Sequence, residues 1–458
     1  MRNVLISVTL VLVLQSNGQG WESVGGGVVA LDVNDLAYDP MTNGLYIVGS
    51  FRYMVQDSLQ TNGVAFWDGA VWHPLNQGVT ITGMNFQPPV WGVCRYGDDI
   101  VIVGAFDIVD STEHTARLAA WNGTDWHSLG IDSSMHGVPR DLSIVDGQLN
   151  VLGNFDTLNG QFINNWAIWD GVEWIPGDPD EPFDFATTCV VRYQGVRHVA
   201  GNFFTTGGSN DLVREAPGGW EELGPGLLGD AWVNDMVVYD GLLWVIGEFF
   251  DFWGNAATAL MAWDGTNWYK PFPDLSFFAA GRDLHVANGK LYFTGPFHVN
   301  GLSENYDLGV YDGFSVCVIG GAGFYLGALA CSSDTLYATT CNYLTWDCGP
   351  PGIQVNKIAK WPLNTPADTC FAVEVGIPER PSTHASFHYD PSSSTIMLDG
   401  PMGTGLLQLF DPLGRSVLSQ RITRHRPVNC AHLAPGIFIA VLSDDQGLKL
   451  GTRRFMKK

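Results

Sequence analysis

The sequence predicts an all-β protein: a seven-bladed β-propeller closed by an N-terminal strand, followed by a small C-terminal β-sandwich. Three observations support this prediction. A module of about 48 residues recurs seven times, which indicates radial repetition of one unit. Each copy contains short apolar runs separated by turn residues. The last copy lacks its final run, and a matching extra run stands near the start of the chain.

Two short motifs mark the module. Gly-x-Phe ends an apolar run at Gly49, Gly104, Gly153, Gly201, Gly247 and Gly295, and has decayed near Tyr343. Trp-Asp-Gly-x-x-Trp, or a version with Asn for Asp, begins at Trp67, Trp121, Trp169 and Trp263, and is degraded near Trp220 and Tyr311. Their regular alternation sets the blade count at seven.

The first module illustrates a blade. Strand-like runs cover residues 36–38, 45–48, 64–67 and 71–75. The last two are separated by Asp68-Gly69, a strong hairpin signal because Gly adopts a positive φ at little cost. Each module therefore predicts four antiparallel strands.

Ring closure follows from the count of strands. The seventh copy ends at residues 358–361, and no Trp-x-x-Leu run follows Trp361. Residues 21–25, beginning with Trp21, supply such a run. We expect this N-terminal strand to complete the seventh blade, which would leave no open sheet edge in the ring.

The repeat resembles the kelch-like group of propellers and bacterial surface repeats of the form G-x-F … A-x-W-D-G-x-x-W, from Trp21 to about Pro362. The Gly-His partner of WD repeats is absent. Sialidase Asp boxes place a Ser before the Asp and separate that Asp from the Gly, a pattern not found here. The resemblance implies a propeller fold and names no reaction.

The N-terminus, residues 1–20, has the features of a signal peptide. Arg2 is followed by a largely apolar stretch over residues 4–14, and then by the small residues Ser16, Gly18 and Gly20. The apolar stretch is too short to span a bilayer, and no other segment is apolar enough, so we expect no transmembrane segment. The predicted domains are the signal peptide at 1–20, the propeller at 21–371, a linker at 372–386 and the β-sandwich at 387–458.

The C-terminal segment resembles the type A sorting domain of the type IX secretion system of Bacteroidota. The resemblance is carried by residues 387–391, 409–417 and 433–439 and by the basic tail at 453–458. The matching motif positions are Asp411, Gly414, Arg415, Pro435, Gly436, Lys457 and Lys458. It implies the type IX machinery as a partner, passage across the outer membrane, and a mature protein that is extracellular or on the outer cell surface. The alternative is an ordinary β-sandwich appended to the propeller.

Charge and cysteines restrict the function classes. Residues 21–371 hold 12 Lys and Arg against 40 Asp and Glu, so nucleic acid and anionic membrane surfaces are poor partners. Eight Cys in an exported chain allow disulfides. Five of them crowd the weakest blade and its exit, and Cys341–Cys348 is the preferred pair. No Cys-x-x-Cys or neighbouring His supports zinc.

The two faces of the predicted ring differ in loop length. Short Asp-Gly and Asn-Gly turns open on one face, and the long connections around residues 52–62, 107–116, 251–259 and 344–355 open on the other. Because binding residues concentrate on loops held by a rigid scaffold, the face with the long connections is the candidate site. We call it the long-loop face.

Four blades carry Asp at one matched position, where the innermost strand begins on this face: Asp35, Asp141, Asp235 and Asp283. One interpretation is a carboxylate ring around the channel that binds Ca²⁺ or a cationic ligand. The other is that each Asp accepts backbone N–H bonds where the chain enters its strand. Repetition across blades favours the structural interpretation.

Aromatic residues on the long loops are the second candidate set: Phe252, Trp253, Tyr343 and Trp346. Exposed aromatic faces bind sugars or hydrophobic partners. The alternative is that these side chains pack against neighbouring blades.

Three functions remain open. The sequence favours a non-enzymatic binding propeller whose ligand is a glycan or a surface protein. An extracellular glycoside hydrolase or lyase that uses funnel carboxylates is the first alternative, because catalytic carboxylates meet in space rather than in sequence. Two carboxylates in a deep funnel, one with a raised pKa, would favour it. A structural envelope or matrix component is the second alternative. No catalytic residue is assigned, and Ca²⁺ is the one candidate cofactor.

Overall fold

A computed structural model describes the chain as two compact units, residues 1–376 and 377–458. The described residues are 20–110, 113–115, 117–131, 134–178, 183–204, 210–229, 231–313, 315–319, 326–340, 356–365, 367, 369–372, 386–390, 393–399, 404–410, 416–423, 427–434, 436–443 and 449–457. The signal segment, the Cys341–Cys348 pair, Tyr343, Trp346 and the sorting-motif residues Asp411, Gly414, Arg415, Pro435 and Lys458 lie outside them.

The first unit is a seven-bladed β-propeller, as predicted. Each blade is an antiparallel four-stranded sheet, here given from the innermost strand outward. Blade 1 is Val28–Asp39, Gly44–Met54, Val64–Trp67 and Trp72–Pro74; blade 2 is Val90–Tyr96, Asp99–Gly104, Leu118–Trp121 and Trp126–His127. Blade 3 is His136–Val145, Gln148–Leu158, Trp166–Trp169 and Trp174–Pro176; blade 4 is Thr187–Tyr193, Val196–Phe204, Asn210–Ala216 and Gly219–Glu222. Blade 5 is Trp232–Tyr239, Leu242–Glu248, Leu260–Trp263 and Trp268–Tyr269; blade 6 is Leu284–Ala287, Lys290–Val299, Asn305–Tyr311 and Ser315–Val318. Blade 7 is Leu326–Cys331, Thr335–Thr340, Ile358–Pro362 and Glu22–Ser23.

A few short strands and turns lie outside the four-stranded blades. Val79–Thr80, Ile108–Val109 and Glu113–His114 form a small separate sheet. Gln161–Phe162 extends blade 3, and Leu275–Phe277 pairs with the long second strand of blade 6. Two 3-10 turns, Gln56–Ser58 and Asp251–Trp253, lie in the long loops of blades 1 and 5. No described helix is long and apolar enough to cross a membrane.

The N-terminal strand closes the ring. Glu22 pairs with Lys360 and Ser23 with Ala359, in antiparallel register. The ring of Trp21 meets that of Trp361 edge-on at 5.5 Å between centroids, and Trp21 is 2% exposed. The predicted closing strand is therefore confirmed, and its apolar side chain is part of the core.

The two sequence motifs have distinct packing roles. A Cβ on Gly49 would lie 2.1 Å from the carbonyl oxygen of Asp32, because the innermost strand crosses there. The Gly at this position lets the two backbones approach, and the Phe two residues later is buried in each of the six copies: Phe51, Phe106, Phe155, Phe203, Phe249 and Phe297. In the Trp-Asp-Gly turn, Asp68 Oδ1 accepts the N–H groups of Ala70 and Val71 at 2.8 Å while Gly69 has a φ of 98°.

A disulfide joins Cys317 to Cys370. Thr369–Ala372 returns after ring closure and pairs with Ser315–Val318, so that blade 6 gains a fifth strand. The sequence predicted a disulfide in this region but preferred Cys341 with Cys348. The pair found here depends on a strand return that residue spacing does not reveal.

The second unit is a small β-sandwich, as predicted. One sheet contains Ser386–Asp390, Thr395–Asp399 and Val428–Asn429; the other contains Thr404–Phe410, Ser416–Thr423, Gly436–Ser443 and Lys449–Lys457. Ile396 and Val428 of the first sheet pack with Leu407 and Leu409 of the second. The tail residue Lys457 is buried, and its Nζ donates to the carbonyl oxygens of Ala431 and Leu433.

Candidate functional site

The long-loop face carries the exposed aromatic residues of the propeller. Eight aromatic side chains are well exposed in the described part of the chain, and all eight lie on this face, either in its connections or at the strand ends beside them: Tyr53, Phe86, Phe162, Phe185, Trp232, Phe252, Trp253 and Phe278. The opposite face, where the short Asp-Gly and Asn-Gly turns open, is called the short-turn face. Its large exposed apolar residues are not aromatic: Met41, Val71, Ile144, Val172, Val238 and Val286. The two faces therefore differ in chemistry as well as in loop length.

A funnel of about 570 Å³ opens at the centre of this face. In blades 1 to 5, the register of the innermost strand shifts by one residue just before the matched Asp position. Such a β-bulge redirects the extra side chain. The residue directly before the matched position lines the funnel in every blade, and we call these seven the bulge ring: Asn34, Trp91, Arg140, Thr188, Asn234, Arg282 and Gly327.

Three members of the bulge ring brace the blades. The amides of Asn34 and Asn234 donate to the carbonyl oxygens of Val90 and Gly281, at 2.8 and 2.7 Å. Thr188 Oγ1 donates to the Val233 carbonyl at 2.7 Å. Each bond joins one blade to the next, so the funnel wall is held rigidly.

Three other members are available to a ligand. The Arg140 guanidinium stacks over the Trp91 ring, 5.0 Å from its centroid. Neither Arg140 nor Arg282 makes an ion pair or a side-chain hydrogen bond to any residue that the structure describes. Other described arginines, such as Arg192 and Arg197, form ion pairs with the carboxylates of this acidic domain. Arg140 and Arg282 instead leave two guanidinium groups in one cavity without such a pair among the described residues.

The four matched aspartates lie deeper, and we call them the aspartate ring. Asp35 accepts the N–H of Leu36 on Oδ1 and that of Val93, in the next blade, on Oδ2, both at 2.8 Å. Asp235 likewise accepts from Met236 and, across the blade boundary, from Leu284, at 2.7 and 3.0 Å.

The other two aspartates differ in how completely they are bound. Asp283 accepts from Leu329 of the next blade at 2.8 Å, and a hydrogen bond from the N–H of Leu284 also lowers its pKa. Asp141 accepts from Leu142 at 2.7 Å on Oδ1, and its Oδ2 has no hydrogen-bond donor among the described residues. The contacts of the ring are thus those of the structural interpretation, with Asp141 the least engaged member.

Burial raises the pKa of all four carboxyls, and repulsion from neighbouring carboxylates raises it further in Asp141, Asp235 and Asp283. Burial, offset in part by two backbone hydrogen bonds, raises the pKa of Asp35 to about 6. Burial and the charge of Asp35 raise the pKa of Asp141 to about 8 and that of Asp283 to about 7. The pKa of Asp235 is raised by burial and by Asp283 and Asp141. The ring therefore carries less negative charge near neutral pH than four free carboxylates.

A metal site needs several ligands in one place. Among the described residues, no three His, Cys, Asp or Glu side chains converge so as to hold a metal ion. Three aspartates of the ring, Asp35, Asp141 and Asp283, line the funnel. Ca²⁺ binding by the aspartate ring is one of the two interpretations of the sequence, and a titration of stability with Ca²⁺ tests it.

The predicted aromatics of blade 5 are largely exposed: Phe252 is 71% and Trp253 56% exposed, although one side of Trp253 contacts Gly229. Phe250 stacks on Phe252 at 5.0 Å, and Phe252 lies 5.3 Å from Trp253. We call these three residues the blade 5 platform.

Sequence reasoning named the aspartate ring and two residues of the blade 5 platform, Phe252 and Trp253, but missed Phe250, the bulge ring and six further exposed aromatics. The sequence does contain a signal for some of these residues. Aromatic residues stand one to six positions before the matched position of their blades, at Trp91, Trp232, Phe185, Phe278 and Phe86. These residues lie beside the matched position rather than at it, so the repetition of that position does not reveal them.

No protein-family model and no curated protein matches the chain. Solved propellers match it at low identity. YCF48 bound to D1 peptide is 14% identical, covering 77% of this chain and 97% of that chain, with a TM-score of 0.42. The extracellular domain of a hybrid two-component system from B. thetaiotaomicron is 11% identical, with 93% and 68% covered and a TM-score of 0.38. PorZ, a surface component of the type-IX secretion system of Porphyromonas gingivalis, is 11% identical, with 94% and 82% covered and a TM-score of 0.24. With TM-scores this low, the similarities carry no argument about function.

Proposed function

We propose that the protein is a secreted or cell-surface binding propeller without catalytic activity, and that its ligand, a glycan or a surface protein, binds in the funnel of the long-loop face. One observation carries the proposal. The bulge ring uses the same backbone position in seven blades but places five kinds of side chain there, and among the described residues Trp91, Arg140 and Arg282 are not used to hydrogen-bond one blade to the next. A purely architectural position would repeat its residue, as the buried Phe of Gly-x-Phe does, whereas a binding site needs varied chemistry.

Binding to glycan arrays and to intact bacterial cells tests this proposal with the purified full-length protein. The double change Trp91→Ala with Arg282→Gln removes two members of the bulge ring that are available to a ligand. We expect it to raise the half-saturating concentration about 10-fold or more. Val172→Ala, at an exposed position of the short-turn face, is the control and should bind as the wild type does. Equal binding by the double variant would overturn the proposal.

The proposed route to the surface is the signal segment followed by type IX secretion. Its support is the agreement between the two ends of the chain: an export signal at residues 1–20 and the sorting-motif positions at Asp411–Arg415 and Pro435–Gly436. Removal of residues 375–458 should leave the protein in the periplasm of a bacterium that has this system. Surface display of the truncated chain would refute the route.

A second candidate function is glycoside hydrolysis, and Asp141 favours it. Its pKa is raised to about 8, it lines the funnel, and its Oδ2 meets no donor in the described part of the chain, which are properties that suit a general acid. Hydrolysis assays on polysaccharides and aryl glycosides decide between the two functions. Turnover that Asp141→Asn abolishes, and that Asp98→Asn on the surface preserves, would establish the enzyme. We expect no turnover.

A further inference from the structure

The funnel is lined by both positively charged and acidic side chains, and their charges nearly cancel. Arg140 and Arg282 supply guanidinium groups, while Glu248 and three members of the aspartate ring supply carboxyl groups. Burial raises the pKa of Asp141 to about 8 and of Asp283 to about 7, so these two are substantially protonated near neutral pH.

This balance discriminates among ligand charges. An anionic group would meet carboxylates, and a cationic group would meet the two guanidinium groups. A hydroxyl both donates and accepts, so it can bond to either kind of partner. The lining therefore suits a ligand rich in hydroxyl groups and without net charge.

The exposed aromatics of blade 5 lead outward from the funnel. Trp232 lies opposite Glu248 in the inner strand pair of that blade, and Glu248 lines the funnel. The chain then runs from Glu248 directly into the blade 5 platform. Trp253 packs against Gly229, where an added Cβ would lie 2.6 Å from its Cγ, so the platform contacts the same connection that ends at Trp232.

The platform is held in place before any ligand binds. Asn255 exchanges hydrogen bonds with the backbone of Leu228 at 2.9 Å in both directions and also donates to the Phe250 carbonyl at 3.0 Å. Thr258 Oγ1 donates to Asp251 Oδ1 at 3.0 Å and accepts from the Asp251 N–H at 3.1 Å. A braced loop that presents large aromatic faces to water avoids the cost of ordering them on binding.

We propose that this surface binds an uncharged carbohydrate chain, with its terminal unit in the funnel between Arg140 and Arg282 and its next units stacked on Trp232 and the blade 5 platform. Sugar rings have an apolar C–H face that aromatic rings cover and a hydroxyl edge that polar side chains bind. The inference rests on the proposed function, since it names the ligand class of the same site.

Titration calorimetry with the full-length protein tests it. The probes are neutral gluco-, xylo- and manno-oligosaccharides, oligogalacturonate as the acidic chain and chitosan oligomers as the cationic chain, all of equal length. We expect one neutral series to bind at least about 10-fold more tightly than either charged chain. Trp232→Ala and Phe252→Ala should each weaken that binding about 10-fold, the loss of one stacked aromatic ring.

Phe162→Ala is the matched control. Phe162 is 65% exposed on the same face but belongs to the outer extension of blade 3, so its removal should leave the affinity unchanged. Unfolding curves of each variant verify that it is folded.

The outcomes separate the two proposals. Tighter binding of the acidic or cationic chain, with the same sensitivity to Trp232→Ala, would overturn the neutral-carbohydrate inference and retain the binding function. The inference also fails, and the binding function stands, if no oligosaccharide binds while a purified surface protein binds through Trp232 and Phe252. If Trp91, Arg282, Trp232 and Phe252 variants change the binding of no ligand, both proposals fail.

Discussion

The Asp35 carboxylate accepts a hydrogen bond from the backbone N–H of Val93 at 2.8 Å and thereby joins the innermost strands of blades 1 and 2. Asp235 and Asp283 form the equivalent bonds to Leu284 and Leu329 of their neighbouring blades. The ring therefore depends on side chains in its channel as well as on apolar packing between blades. Because these carboxylates lie directly below the bulge ring, the same bonds fix the floor of the funnel.

Removal of the Asp35 acceptor should destabilise the propeller. Asp35→Ala leaves the N–H groups of Leu36 and Val93 without their partner, whereas Asp35→Asn retains one acceptor oxygen. We expect the Ala variant to unfold with a free energy about 1–3 kcal/mol below that of the Asn variant. Urea unfolding measures the difference. Asp98→Ala, an exposed carboxylate, is the control, and a loss of similar size there would contradict the account.

The stability of the protein should fall as pH rises from about 4 to about 8. The folded-state pKa values of Asp35, Asp283 and Asp141 are raised to about 6, 7 and 8, so the folded protein binds more protons than the unfolded chain across this interval. Their contribution is complete below the ordinary Asp pKa and is lost as pH passes through the raised values.

Asp141→Asn should flatten this dependence. The Asn oxygen can still accept from Leu142, while the ionisable group is gone. We expect the variant to be more stable than the wild type at about pH 8, by roughly 1–3 kcal/mol, with the difference vanishing towards about pH 4. Parallel pH profiles of wild type and variant would show that Asp141 does not titrate in this way.

The closing strand should contribute strongly to stability. Trp21 is buried against Trp361, and it packs with Tyr292 and Leu336 in the core between blades 6 and 7. Trp21→Ala should cost about 3–5 kcal/mol, the usual range for a large buried aromatic. Val172→Ala, 83% exposed, should change the free energy of unfolding very little. A small effect at Trp21 would mean that the ring stays closed without its N-terminal strand.

The Cys317–Cys370 disulfide should stabilise the fifth strand of blade 6. Its loss, by reduction or by Cys317→Ser with Cys370→Ser, frees Thr369–Ala372 from the blade edge. We expect about 2–4 kcal/mol lower stability and faster amide hydrogen exchange in Thr369–Ala372. Cys331→Ser, at a free thiol, is the control. Unchanged exchange after reduction would show that strand pairing alone holds this segment.

Calcium should have little effect on the propeller. Both oxygens of Asp35 and of Asp235 accept backbone N–H bonds, so a cation would have to displace those bonds to be coordinated. We expect the melting temperature in chelator and in about 10 mM Ca²⁺ to agree, a concentration above the range at which extracellular Ca²⁺ modules bind. If Ca²⁺ raises the melting temperature of the wild type but not that of Asp141→Asn, the aspartate ring is a Ca²⁺ site.

Most of the fold could be predicted from the sequence because each blade is marked by short motifs within its own module. Gly-x-Phe marks where two backbones meet, and Asp68-Gly69 marks a turn, so counting motifs counts blades. The candidate site could be predicted only in part. Asp35 and its equivalents repeat, and this repetition identified them as candidates, but backbone N–H groups already bind their oxygens. The variable residues beside them line the funnel. A one-residue register shift, which periodicity does not reveal, decides that difference.

The sequence by itself determined the seven blades, the all-β class and the strand that completes the ring, because each depends on a pattern within one module or on the number of modules. Only the tertiary structure decided that Trp91, Arg140 and Arg282 meet in one funnel and that Cys317 pairs with Cys370. The physical reason is the same in both cases. β-bulges and a returning strand set the direction and proximity of side chains, and these depend on pairing between segments far apart in the chain.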